Sequence, residues 1–136
     1  MGVANAVVAW LLQSPLRGLL SKSTALIRYR GRRSGRQITT PVQYAADGDG
    51  LVILVGRPQT KRWWRNFDDE RDLEVLVRRA WVPMTGRALV GSDDPDTVAP
   101  LLATYLARFP KAERALDGEG PDERVRAAVL VRCRPR

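Results

Sequence analysis

Apolar and polar positions change rhythm several times along the chain, and each change marks an element. In VANAVVAWLLQ, Val3, Val7, Trp10 and Leu11 recur at helical spacing, and Ser14 followed by Pro15 reads as an N-cap with proline at the first helical position. Residues 1–22 therefore read as a helical segment of two short helices. In TALIRYR, Ala25, Ile27 and Tyr29 alternate with Arg28 and Arg30, the period of a half-exposed strand. QITTPVQYA is a second β-rich run whose Pro41 marks an edge or a bulge. DGDG, residues 47–50, is a hairpin turn leading into the buried run LVILV.

Further on, KRWWRNFDDERD has a helical composition, and LEVLVRR and VPMTGRALV read as strands separated by a turn around Ala80. DDPDTVAPLLATYLARF carries the strongest helical pattern: Asp94 or Asp96 can cap it, and Val98, Leu101, Leu102, Tyr105 and Leu106 form one apolar stripe. GEGPDE reads as a loop and RVRAAVLVRC as a final strand. About six strands at short spacing with few helices predict a mostly β, α+β fold, a small antiparallel barrel with helices on its outside. At 136 residues and 44% hydrophobic, the chain suits one domain spanning residues 1–136.

Charge narrows the choice of partner. The formal net charge is +8, and no Asp or Glu precedes Asp47, whereas Arg17, Lys22, Arg28, Arg30, Arg32, Arg33 and Arg36 do. A field so lopsided favours an anionic partner: nucleic acid, a phospholipid surface or a phosphorylated small molecule. The lack of histidine and the single Cys133 exclude an internal disulfide, His-based triads and most zinc sites, so no metal is expected. The apolar run from Val3 to Leu12 is too short to cross a bilayer and lacks a signal-peptide pattern, which predicts a cytoplasmic protein. The bulk of Val7, Val8, Trp10, Leu11 and Leu12, followed by Arg17 and Lys22, suits peripheral contact at the inner membrane face. The same face could instead cap a barrel end or form a homodimer seam.

Two stretches carry candidate chemistry. YRGRRSGRQITTP offers Gly31 and Gly35 for unusual backbone angles, exposed amides between them, the Ser34 hydroxyl, and arginines able to grip phosphate bidentately. It reads as an anion cradle or as a solvated basic hairpin loop. In GRPQTKRWWRNF, two tryptophans sit among Lys61, Arg62 and Arg65, and at least one ring, that of Trp63 or that of Trp64, belongs to the core. Asn66 follows Trp63 by three positions, so on a helix its amide shares that face and offers donor and acceptor to a planar polar ring. A nucleic-acid partner is not expected, because RYRGRRSGR lacks further aromatics at stacking spacing. No GxGxxG dinucleotide fingerprint occurs.

Together, GRRSG, Pro41 six residues after Gly35, DGD, an apolar strand and W..N resemble the deazaflavin (coenzyme F420)-dependent nitroreductase family, over roughly residues 15–90. The resemblance implies the split β-barrel of flavin reductase-like proteins, with coenzyme F420 as cofactor and FMN, which binds related barrels, as the alternative. It implies hydride transfer to a small hydrophobic, electron-poor acceptor: a quinone, enone, nitro compound or unsaturated acyl chain. A non-catalytic barrel that binds deazaflavin, FMN or lipid is the competing expectation. By resemblance the loop for the anionic cofactor tail falls on Arg32, Arg33, Ser34 and Gly35, and the ring-contacting strand on Pro41 and Val42. The strand-end loop falls on Leu54, Gly56 and Arg57, and the helix face on Trp63 and Asn66. Gln43 replaces a common tyrosine on the substrate side, beside Tyr44, and GRPQT is shorter than the family's Gly-Gly loop. Hydride chemistry resides in the cofactor, so no catalytic residue is assigned; Tyr29, Tyr44 or solvent could supply a proton.

Overall fold

The computed structural model describes residues 24–77 and 79–136. The helical segment 1–22, with its membrane-contact and dimer-seam readings, lies outside the described residues. Among those described, no helix is long and apolar enough to cross a membrane.

Seven antiparallel strands form one sheet: β1 (Thr24–Arg30), β2 (Gln37–Gln43), β3 (Ala45–Asp47), β4 (Gly50–Leu54), β5 (Arg71–Val77), β6 (Ala80–Val90) and β7 (Val129–Pro135). Their order is β2-β1-β5-β6-β7-β4-β3, so β2 and β3 are the two outer edges although Tyr44 alone separates them in sequence. A flat sheet cannot place its two edges one residue apart, because neighbouring strands are about 4.8 Å apart and six such steps separate them. The sheet therefore curls into a split barrel whose seam is crossed by the chain at Tyr44. QITTPVQYA, expected to be one strand, is divided there, which raises the expected six strands to seven. Pro41 sits on edge strand β2, where a missing N–H is tolerated.

Period-two alternation decides what fills the barrel. Ala25, Ile27 and Tyr29 of β1, Val42 of β2, Leu73 and Val75 of β5 and Val131 of β7 all face inward into one buried cluster. The outer face carries Arg28 and Arg30, but it also buries Leu26 opposite Leu76, so β1 is less half-exposed than its pattern predicts. Helix α1 (Pro95–Arg108) covers the opposite half of the outer face. Its stripe of Val98, Leu101, Leu102 and Tyr105 packs with Ala45, Val52 and Leu130. Each such side chain, removed from water, contributes roughly 1.5–3 kcal/mol. Pro95 opens the helix and Asp94 is its N-cap residue, but the Asp94 side chain makes no capping bond; Asp96 lies in the first turn.

Two segments depart from their sequence pattern. KRWWRNFDDERD yields only a short 3-10 helix, Trp63–Phe67, preceded by another at Pro58–Thr60, and the chain is already extended from Arg71. The first half of RVRAAVLVRC is helical: α2 (Pro121–Ala127) begins at a proline after Gly120, with Asp122 and Glu123 in its first turn and Arg124 and Arg126 in its last. Those charges complement the helix dipole, and β7 starts only at Val129.

Candidate functional site

The site is built where β1 leaves the barrel. Residues 31–36 reverse the chain between β1 and β2: the Gly31 N–H donates to the Arg36 carbonyl at 2.8 Å and the Gly35 N–H to the Gly31 carbonyl at 2.9 Å. Gly35 takes φ +68°, a left-handed conformation that costs glycine nothing. The Arg36 N–H donates to Ser34 Oγ at 3.2 Å, and Arg30 Nη1 donates to the Gly35 carbonyl at 3.0 Å. Among the described residues, the amides of Arg33 and Ser34 find no acceptor.

Across from this loop stands the Trp63–Phe67 turn. Trp64 is buried, 5% exposed, and its indole N–H donates to the Pro58 carbonyl at 2.9 Å. With Trp64 fixed, Arg65 lies over its ring face, 4.5 Å from the centroid. Asn66 is held at both ends of its amide: Nδ2 donates to the Trp63 carbonyl at 2.7 Å, and Oδ1 accepts the Arg32 N–H at 2.8 Å. Arg32 Nη1 reaches Asp68 Oδ2 at 3.4 Å, a second tie between loop and turn.

A cavity of about 410 Å³ lies between them, lined by Gly31, Arg32, Arg33, Ser34, Ile38, Arg62, Arg65 and Asn66. Four arginines border it and no carboxylate does. Among the described residues Arg33 and Arg62 pair with no acid, which leaves their guanidinium groups available to an anion. A second groove, of about 620 Å³, lies on the outer face and borders Arg28, Arg30, Arg71 and Arg136. Arg28 pairs there with Glu74 at 2.8 Å and Arg136 with Asp72 at 3.3 Å, while Arg30 and Arg71 pair with no acid among the described residues. Glu70, Asp72 and Glu74 all line this groove, however, so it suits an anion less than the cavity whose wall carries no carboxylate.

The expected site residues are distributed unequally. Arg32, Arg33, Ser34 and Asn66 meet at the cavity wall, with Gly35 in the same loop. Pro41 and Gln43 face outward from edge strand β2 while Val42 points into the barrel core. Tyr44 lies at the seam, half-buried against that core. Leu54, Gly56 and Arg57 follow at the end of β4, where Arg57 adopts φ 51° and borders a separate recess with Lys111 and Arg114. Trp63 is partly buried and packs edge-on to Phe67, with centroids 6.4 Å apart. The cavity also uses Gly31, which the sequence reading names only for its backbone freedom, and Ile38, Arg62 and Arg65, which it does not place in the site. Arg62 and Arg65 were legible as cations beside the tryptophans, but their direction depended on the tightness of the turn. Tyr29 points into the barrel, where burial pushes its phenol above the ordinary range and the Thr40 hydroxyl offsets only part of that.

Known structures share this fold. A structure described as an F420-H2 dependent reductase covers 83% of this chain and 96% of its own at 16% identity, with a TM-score of 0.55. The heme storage protein HutZ of Vibrio cholerae covers 100% of this chain and 92% of its own at 13% identity, with a TM-score of 0.57. At such identities the likeness is one of fold, which does not by itself specify function. A Mycobacterium tuberculosis protein named as an F420H(2)-dependent quinone reductase is 27% identical over 74 residues, 52% of this chain and 60% of that relative. The chain thus matches less than two thirds of that relative's length. The profile of the F420H(2)-dependent quinone reductases matches residues 13–114, which include the whole loop, the Trp63–Phe67 turn and the cavity between them. The chain belongs to the F420H(2)-dependent quinone reductase family.

Proposed function

We propose that this chain is a coenzyme F420-dependent reductase that passes hydride from the reduced deazaflavin to a quinone, with the 31–36 loop holding the cofactor's anionic tail. Family membership implies coenzyme F420 as the cofactor. The observation that supports this placement is the cavity itself: among the described residues two of its amides find no acceptor and two of its arginines pair with no acid, and no carboxylate lines the wall. That donor set suits a phosphate, which accepts several charge-assisted hydrogen bonds at once.

When bound, the deazaflavin supplies the two-electron hydride chemistry. The chain's residues do the positioning. The Arg33 and Ser34 amides and the Arg33 and Arg62 guanidinium groups would fix the phosphate, while the closed bonds at Gly31, Gly35 and Arg36 keep those donors in place before ligand arrives. Pro41, Val42, Leu54, Gly56, Arg57 and Trp63 are the remaining candidates for the cofactor. Gln43 and Tyr44, at the seam, are candidates for the acceptor.

The test is a fluorescence titration of the purified protein with coenzyme F420 and, separately, FMN, followed by oxidation of reduced F420 with menadione as acceptor. Preferential F420 binding and quinone-dependent oxidation are expected. Binding of FMN with none of F420, or binding without turnover on any quinone, would overturn the reading.

A further inference from the structure

Asn66 lines the cavity, yet both ends of its side-chain amide bond to the chain. Oδ1 accepts the Arg32 N–H at 2.8 Å across 34 residues of sequence, and Nδ2 donates to Trp63 at 2.7 Å within its own turn. The loop it holds presents the amides at the next two positions, Arg33 and Ser34, which find no acceptor among the described residues. A peptide plane anchored at Arg32 sets the direction of the planes that follow, since only two soft dihedrals per residue intervene. The turn that carries Asn66 is itself anchored to the core by Trp64 and Phe67, which are 5% and 0% exposed.

We propose that Asn66 is a positioning residue: it clamps the 31–36 loop to the core-anchored Trp63–Phe67 turn, aiming the Arg33 and Ser34 amides at the anionic tail rather than contacting the deazaflavin ring. The ligand side of this inference rests on the F420 reading above; the clamp itself does not. A ring contact and a clamp make different demands. Loss of a ring contact weakens every ligand that carries the ring, whereas loss of a clamp weakens only ligands that carry the phosphate.

The experiment compares wild type and Asn66→Ala in titrations with coenzyme F420 and with the deazaflavin chromophore truncated before its phosphate, alongside amide hydrogen exchange of both proteins. The expected result is about a tenfold loss of F420 affinity in Asn66→Ala, unchanged affinity for the truncated chromophore, and faster exchange across residues 31–36. Equal losses for both ligands, or no loss for either, would overturn the proposal. Residue-resolved exchange of the wild-type protein reads the clamp without any variant or ligand. The Arg32 amide should exchange slowly and those of Arg33 and Ser34 rapidly; equal rates at the three would overturn it. If wild type binds no F420, the function reading falls. The exchange data still decide the clamp, which stands if Arg32 alone is protected and falls if it is not.

Discussion

Trp64 donates its indole N–H to the carbonyl of Pro58 at 2.9 Å, joining the Pro58–Thr60 turn to the Trp63–Phe67 turn, which carries one wall of the cavity. The ring is buried and Arg65 covers its face. Trp64→Ala should therefore destabilise the domain by ~3–5 kcal/mol, as large aromatic truncations in cores do. Trp64→Phe should cost less while still leaving Pro58 without its donor. Urea denaturation should rank wild type above Phe and Phe above Ala. An Ala variant as stable as wild type would place this indole outside the cooperative core.

Removing Arg33 or Arg62 should weaken F420 binding by ~1–3 kcal/mol each, the range for a charge-assisted contact to phosphate. Arg32→Ala should lose less, because that guanidinium already faces Asp68. Titrations at low and high salt provide the check: Arg33→Ala and Arg62→Ala should flatten the salt dependence. If Arg32 proves the dominant side chain, its ion pair must open on binding.

Gly31 leaves no room for a methyl group. A Cβ there would lie 2.8 Å from Ser34 Oγ and 3.2 Å from Ile38 Cδ1. Gly31→Ala should push the exposed Ser34 hydroxyl off the Arg36 amide, at a cost of about 1 kcal/mol or less for the hydrogen bond lost, and reduce cofactor affinity as well. Paired thermal melts and titrations would show both; a fully stable variant with native affinity would mean that the loop tolerates repacking.

Arg28 donates Nε to Glu74 at 2.8 Å while its guanidinium lies 3.9 Å above the Trp81 ring. That hydrogen bond, and the attraction behind it, hold the Glu74 carboxyl below the usual carboxylate range. A lowered folded-state value means that the stabilisation is present above the unfolded carboxyl's pKa and is lost as pH falls through the folded value. Glu74 is 39% exposed, so the contribution should stay below ~1 kcal/mol. Denaturation midpoints measured across the acid range should fall less steeply for Glu74→Gln than for wild type. Identical slopes would assign acid sensitivity elsewhere.

Burial pushes the Cys133 thiol up to about 12. At neutral pH the reactive thiolate is therefore almost absent from the folded protein. A thiol-specific reagent should label Cys133 only through unfolding, with a rate that rises with denaturant. Immediate labelling of the native protein would contradict its burial.

How much of this was legible in the sequence depended on the range of the forces involved. The alternation in TALIRYR, the DGDG turn and the stripe from Val98 to Tyr105 are local patterns, and each marks an observed element. The break at Tyr44 is not local: nothing in QITTPVQYA says that its two halves pair with different ends of the sheet. The helix at Pro121 was signalled by a proline followed by two acids, but the β-branched run behind it obscured that start. In the candidate site, the GRRSG loop stood out by composition, whereas Arg62 joined it only because the tryptophan turn is 3-10 and short. Asn66 was noticed for its spacing from Trp63; its bond to Arg32 crosses 34 positions and has no sequence signature.

The position of β7 between β6 and β4 also sets a schedule for synthesis. β4 pairs at once with β3, its hairpin neighbour, but its other side pairs with β7, so Leu51 meets Cys133. At ribosomal rates, about 80 residues of intervening chain take roughly 4–16 seconds to appear. Throughout that interval the apolar LVIL segment presents an open edge on the nascent chain. Unlike the finished barrel, where β4 lies between β7 and β3, the growing polypeptide carries this apolar edge early and covers it only once β7 has been made.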